Sequence, residues 1–273
     1  MLRTASGNII APFTDAATSR RANAAGVADN CFSKQGIGYL AARPTWPNEL
    51  FTYLANLCPE RKRAWDCATG NGQVAIKLST HFKEVFATDI SADMIKLGVQ
   101  RKNVIYKVGA AEKCQLPNKS VNLITGGHAA QWIDLDRFYD EVRRIAVPGA
   151  VLALFGFRDV LVSADVDKIV SHYIHDLLGP FWHEKNKDLN DSKLISLHFP
   201  FEEIAHPEFA IKLSCLPERL LTLLDSYSAA QGFLEYHRQL PSDFIREELI
   251  EAWGGPNRLR KIQLPVHLRV GRI

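Results

Sequence analysis

No two of the five cysteines are spaced as C-x-x-C, and their number is odd: Cys31, Cys58, Cys67, Cys114 and Cys215. Such usage argues against a disulfide framework and against a structural zinc site. No metal site is therefore expected, and a reducing compartment, the cytoplasm, is the expected location. The chain also lacks any apolar run near the roughly 18 residues that a membrane span needs, so no membrane partner is expected. Neither sign of charge dominates: 33 basic and 30 acidic side chains leave a net charge of +3. That balance argues against nucleic acid as the main partner. Internal repeats and low-complexity tracts are missing too, and nothing in the sequence speaks to oligomeric state.

What is present fits a globular protein. With 273 residues, 47% of them hydrophobic and 23% charged, the chain can bury a sizeable core without staples. Residues 1–30 stand apart. They are rich in Ala, Ser, Thr and Asn, with Arg3, Arg20 and Arg21 against only Asp15 and Asp29. That composition has the flavour of a targeting segment, but no clean amphipathic period appears, so a poorly ordered N-terminal extension is the expectation.

From about Pro44 the pattern alternates. Leu50, Tyr53, Leu54 and Leu57 are spaced for a helix over 48–57. A short strand through Ala64, Trp65 and Cys67 leads into a glycine loop and a helix over about 73–82. A strand over 84–88 follows, then a helix that Ser91 can cap. Strands are expected over 104–108, 121–125 and 150–155, with a helix opening at Asp134 and a turn at Pro148-Gly149. This strand–helix alternation implies a parallel sheet with right-handed crossovers. The alternation breaks at about 158, and residues 158–209 read as an inserted cap. Sheet signals return at 210–215 and 261–270.

The chemistry is concentrated in Asp66-Cys-Ala-Thr-Gly-Asn-Gly-Gln73, set between a strand and a helix. Gly70 and Gly72 let the backbone turn tightly and approach a ligand. Taken alone, Gly70-x-Gly72-x-x-Ala75 also fits a dinucleotide fingerprint, which keeps a nicotinamide-dependent oxidoreductase in view. Asp66, four residues before Gly70, counts against it, because a carboxylate repels a pyrophosphate but suits a ligand ammonium. Asp89 ends the second strand and can take two ribose hydroxyls; its alternative is to cap the next helix in place of Ser91. After the third strand come Gly109, Ala110, Ala111 and Glu112, suited to an adenine edge. Three such features on consecutive strand ends are worth more together than any one alone.

These segments carry a family resemblance. Asp66 to Gln73, Ala87-Thr-Asp-Ile-Ser-Ala-Asp-Met94, Gly109 to Pro117, Ser120 to Ile124, Gln131-Trp-Ile-Asp134 and Val147-Pro-Gly149 resemble class I S-adenosylmethionine (SAM)-dependent methyltransferases. Tyr39 to Pro44 upstream, and Leu178 to Trp182, Phe199 to Phe201 and Ser226 to Ala229 downstream, resemble the branch that includes trans-aconitate methyltransferase and related small-molecule enzymes. The resemblance implies a doubly wound, seven-stranded, mostly parallel α/β sheet of Rossmann-like type with a helical cap. Its expected parts are a SAM-binding core over 31–157, the cap over 158–209, and completion of the sheet over 210–273 with one antiparallel strand.

The resemblance also implies roles. Asp66, Ala68, Gly70 and Gly72 would hold the methionine end of SAM, and Asp89 its ribose. Ile90 and Met94 would pack on the adenine, and Ala111 and Glu112 would line its edge. Tyr39 and Arg43 would close over the carboxylate. At the fourth strand's end His128 and Gln131 are the candidate catalytic residues, with Trp132, Trp182 and Tyr227 on the acceptor side. The chain departs from the family at Ala68, where glycine is usual and where alanine needs a negative φ, at Asn122, where an acid is usual, and at Gln131, where a histidine is frequent. A catalytically silent SAM-binding partner protein is the remaining alternative. The polar run Lys185 to Lys193 reads as a solvated loop.

Overall fold

The computed structural model describes residues 43–273, apart from the side chains of Lys185, Asn186 and Asn190. The expected N-terminal extension and Tyr39 lie outside the described residues. Two compact units divide the chain. One holds the sheet, with residues 43–161, His183–Leu213 and Ile262–Ile273 among those described. The other is helical, with Val162–Trp182 and Ser214–Lys261. The expected contiguous insert over 158–209 is thus drawn differently. Its first part joins residues beyond 214, and His183–Leu213 packs with the sheet unit.

In the sheet unit, α1 (Asn48–Leu57) precedes β1 (Arg63–Cys67), α2 (Gln73–Leu78), β2 (Glu84–Asp89), α3 (Ala92–Lys96) and β3 (Val104–Val108). Next come β4 (Val121–Gly127), a single 3₁₀ turn at Ala130–Trp132, α4 (Leu135–Ile145) and β5 (Ala146–Gly156). The strand order is β3-β2-β1-β4-β5-β8-β6, where β6 is Glu202–Glu203 and β8 is Arg260–Arg272; β7 (Phe209–Cys215) also pairs with β8. The first five strands are parallel, and β8 runs antiparallel to β5. Among the described residues the sheet has eight strands, one more than the family pattern implies. The addition is β6, too short at two residues to leave a hydrophobic signature in the sequence.

The chain starts at β1, steps outward to β2 and β3, then returns to β4 on the other side of β1. The carboxyl ends of β1 and β4 therefore flank the point where the winding reverses, the place where such sheets leave a crevice for ligands. Burial supports this arrangement. β1 and β4 are buried along nearly their whole length, as central strands covered on both faces must be. Edge strand β3 is mostly exposed.

The helices follow from their apolar stripes. Leu50, Phe51, Leu54 and Ala55 form the buried face of α1. Phe138, Tyr139, Val142 and Ile145 do the same for α4, whose N-cap Asp134 accepts the Arg137 N–H at 3.4 Å. Ser91 caps α3, accepting the Met94 N–H at 3.3 Å. Pro148-Gly149 is not a turn between elements. It forms a bulge within β5, where the register with β4 jumps between Val121 and Leu123 and Gly149 takes a φ of 77°. The polar run is helical rather than a loop, as α6 (Glu184–Asp191), and Asp191 accepts from Arg158 at 2.6 Å.

The helical unit contains α5 (Ala164–His172), which continues into a π-helical turn at Tyr173–Leu177, then α7 (Pro217–Asp225), α8 (Ser228–His237) and α9 (Arg246–Trp253). Trp253, Tyr173 and Phe233 are among its fully buried side chains. One polar network lies in this core. Asp225 accepts from the Tyr173 hydroxyl at 3.0 Å, the Ser242 hydroxyl at 2.6 Å and the Ser242 N–H at 3.2 Å. No helix among the described residues is long and apolar enough to cross a membrane.

Candidate cofactor site

The glycine loop leaves β1 at the winding reversal, and its backbone is unusual. Gly70 has a φ of 56° and Gly72 a φ of 83°, values that favour glycine. Ala68 has a φ of 49°. The expectation of a negative φ there is wrong. The loop's path is kept, and alanine adopts the left-handed geometry at a cost of about 1–2 kcal/mol. The loop is tied to the neighbouring strand end. Thr69 N–H donates to Thr88 O at 2.8 Å, and Gly70 N–H donates to Asp89 Oδ2 at 2.8 Å.

Asp89 accepts Ser91 N–H through its other oxygen, Oδ1, at 2.9 Å. Ser91, not Asp89, caps the helix, so Asp89 is left to brace loop and strand end. It stays partly exposed, as a ribose-binding carboxylate must. Ile90 beside it is 43% exposed, an apolar surface available to an adenine, whereas Met94 is buried. The Met94 methyl lies 3.4 Å from where a Cβ on Gly70 would sit. Bare backbone at Gly70 and Gly72, the braced carboxylate of Asp89 and the exposed Ile90 beside it fit the methionine end, ribose and adenine of SAM, and these residues would hold it.

Asp66 is enclosed rather than open. It is 1% exposed. Its carboxylate accepts hydroxyl hydrogen bonds from Thr69, and from Thr125 at 2.9 Å. Burial pushes the Asp66 carboxyl up to about 7, and the charge of Asp89 adds to the rise against these hydrogen bonds. Asp66 thus sits beneath the loop and supports it. Neither Thr69 nor Thr125 stood out in the sequence, because a threonine inside a strand or turn carries no signal of its own.

On the adenine side, Gly109 N–H donates to Asp89 O at 2.9 Å, joining the ends of β2 and β3. Ala111 is buried in the apolar cluster around Trp65 and Phe138. Glu112 commits one oxygen to the Asp134 N–H at 2.9 Å, anchoring the start of α4. Asn122 accepts the Arg63 N–H at 3.1 Å, so the missing acid there leaves the β1–β4 link intact.

His128 follows directly on β4, with a φ of 54°. Its N–H donates to Phe155 O at 2.8 Å, and its ring packs edge-on to Phe157 at 4.5 Å and against Trp46 at 5.3 Å. The Nε2 atom is enclosed and has no hydrogen-bond partner among the described residues. Burial, with the charges of Arg43 and His267, holds the imidazole well below its ordinary range. It is therefore neutral at physiological pH. Gln131 donates from Nε2 to His128 O at 3.0 Å, so it braces the same turn. Arg43 lies over the Phe157 ring at 5.7 Å. Trp132 is partly exposed and 6.1 Å from His183. Trp182 and Tyr227 are brought together with each other, 6.0 Å apart, in the helical unit. Among the described residues, no group of three His, Cys, Asp or Glu side chains could hold a metal ion.

A doubly wound sheet with a left-handed glycine loop and a braced acid after β2 defines a nucleotide-cofactor-binding domain of Rossmann-like type. Comparison with known proteins narrows the class. A family described as a methyltransferase domain matches residues 65–154. A solved structure assigned as a type II methyltransferase from Anaeromyxobacter dehalogenans is 33% identical, with a TM-score of 0.79 over 84% of this chain and 97% of that one. A Dictyostelium discoideum protein assigned as a methyltransferase is 26% identical over 88% of this chain and 94% of its own length. The methyltransferase cfoB of Aspergillus candidus is 24% identical over 59% of each chain. The chain belongs to the class I SAM-dependent methyltransferases, and its cofactor is SAM. The oxidoreductase and silent-partner readings give way to an enzyme of this family.

Proposed function

We propose that this methyltransferase acts on a small-molecule acceptor, whose nucleophilic oxygen, nitrogen or carbon is received at the carboxyl end of β4. SAM supplies a methyl group already activated on a sulfonium, so the protein's contribution is alignment, exclusion of water and, for a protonated nucleophile, a place for the proton. The observation that carries this reading is the neutral imidazole of His128 at the end of β4. The residue as a whole is partly exposed, and a neutral imidazole there can take a proton from an acceptor or orient one that arrives ionised. A carboxylate acceptor arrives ionised and needs only orientation, whereas a phenol or protonated amine would also give up a proton. Gln131 fixes the turn that presents His128, Trp132 walls the same strand end, and Arg43 would close over the carboxylate of SAM. The near balance of basic and acidic side chains favours a small acceptor over nucleic acid.

The test begins with calorimetric titration of SAM and S-adenosylhomocysteine, with NADH as control, followed by methyl-transfer assays on a panel of carboxylic acids, phenols and amines. Turnover of a small acid supports the proposal. Turnover confined to protein or RNA would replace the small-molecule acceptor with a macromolecular one.

A further inference from the structure

Beneath the glycine loop lies a buried chain of polar groups that ties three elements together. Asp66 on β1 and Thr125 on β4 are direct partners across the parallel pair. The Thr125 hydroxyl donates to Asp66 Oδ1 at 2.9 Å, and the Thr69 hydroxyl, within the loop, donates to Asp66 Oδ2. Thr125 is fully buried, Asp66 is 1% exposed and Thr69 is 8% exposed. Water has no route to replace a missing donor here, and an orphaned buried acceptor is costly.

We propose that Thr125 is a positioning residue for cofactor capture, holding the Asp66 carboxylate so that it, with Thr69, keeps the glycine loop in its ligand-ready shape. The inference rests on the assignment of this loop to SAM. Thr125 never touches the ligand and acts through Asp66. Without its hydroxyl, the carboxylate either takes up a proton or pulls the loop from its path. Either change weakens the hold on a ligand that carries positive charge, because the ionised Asp66 lies close beneath it.

The electrostatics agree with the geometry. Burial pushes Asp66 up, and the hydrogen bonds from Thr69 and Thr125 oppose it. The titratable groups that interact with Asp66 are Asp89 on β2, Tyr106 on β3 and Cys67 beside it on β1. Losing the Thr125 hydroxyl therefore moves the proton equilibrium of Asp66 to higher pH, and cofactor affinity moves with it.

The experiment is calorimetry of SAM and S-adenosylhomocysteine between pH 6 and 8.5, on wild type, Thr125→Val and Thr125→Ser, with thermal melts to establish folding. The ligand's own amine titrates in this range, but identically for every variant, so differences between variants report the protein. Wild-type affinity is expected to rise with pH through about 7. Thr125→Val should bind roughly tenfold more weakly at pH 7, the worth of one hydrogen bond to a buried charge, with its midpoint displaced upward. Thr125→Ser should restore both. A folded Thr125→Val with wild-type affinity and an unmoved midpoint overturns the proposal. So does an equal loss at every pH that serine fails to rescue, since that pattern is packing alone. A wild type that binds neither ligand would instead overturn the assignment of the loop, and this inference with it.

Discussion

The Tyr106 hydroxyl lies 2.1 Å from the point where a Cβ on Gly72 would stand. The ring is held there: its hydroxyl donates to Val99 O at 3.1 Å, and it fills the space beside Gly98 as well. Gly72 is thus required twice, by its φ and by its neighbour. Gly72→Ala is expected to destabilise the fold by about 2–4 kcal/mol, combining a left-handed alanine with displacement of the ring. A double-mutant cycle with Tyr106→Ala, followed by urea unfolding, should show coupling of about 1 kcal/mol or more. Additive costs would mean that the ring yields freely.

Asp89 braces Gly70 and Ser91 while keeping surface for a ribose. Asp89→Ala should leave the sheet folded, because the lost bonds sit at its margin. SAM affinity should fall about 30-fold or more, equivalent to about 2 kcal/mol at a charged acceptor. Calorimetry on the folded variant decides this, and unchanged affinity would remove Asp89 from the site.

His128 supports two measurements. Asparagine tolerates its left-handed backbone, so His128→Asn should fold and bind SAM within a few fold of wild type. With an acceptor that must lose a proton, kcat should fall by about 10²–10⁴. An acceptor that arrives ionised should be far less affected. The second measurement is stability against pH. The folded-state affinity of His128 for protons lies below that of the unfolded chain, so its contribution is complete above the unfolded value of 6.5 and is lost as pH falls below it. Urea midpoints at pH 8 and pH 5 should show the gap between wild type and His128→Asn narrowing at the lower pH.

Asp225 behaves in the opposite sense. Burial raises its carboxyl despite the hydrogen bonds from Ser242 and Tyr173. A raised carboxyl favours the fold at low pH and costs stability as pH climbs from 3.8 through the folded value. Any disadvantage of Asp225→Asn relative to wild type should therefore shrink between pH 4 and pH 7. Ser242→Ala, which leaves the carboxylate short of a donor, should cost roughly 1.5–3 kcal/mol at neutral pH. A flat response of Asp225→Asn across this range would show that the network does not titrate.

Much of the sheet unit was legible because its signals are local. Ser91 as the cap of α3, Asp134 as the cap of α4, and the strand runs that became β1 to β4 all announce themselves by residue type and spacing. The bulge at Pro148-Gly149 was misread because proline and glycine mark a turn and a bulge alike. The helix α6 was missed because a polar run with a single apolar residue, Leu189, has no stripe to reveal it. At the site, the glycines and the two acids were visible as a pattern, yet the pattern could not separate an acid that faces a ligand from one that supports a loop.

The sequence by itself pointed to the family, the cofactor and the alternation of strands and helices along the chain, because each depends on short-range chemistry: glycines where the backbone must turn, acids after strands, apolar runs of fixed period. Only the tertiary structure decided what those residues do. It placed Asp66 under the loop between two threonines 59 residues and three residues away, gave Ala68 a left-handed backbone, and packed the neutral imidazole of His128 against Trp46 and Phe157. Such roles are set by burial and by which distant groups share a low-dielectric space, and neither quantity is encoded in any single stretch of chain.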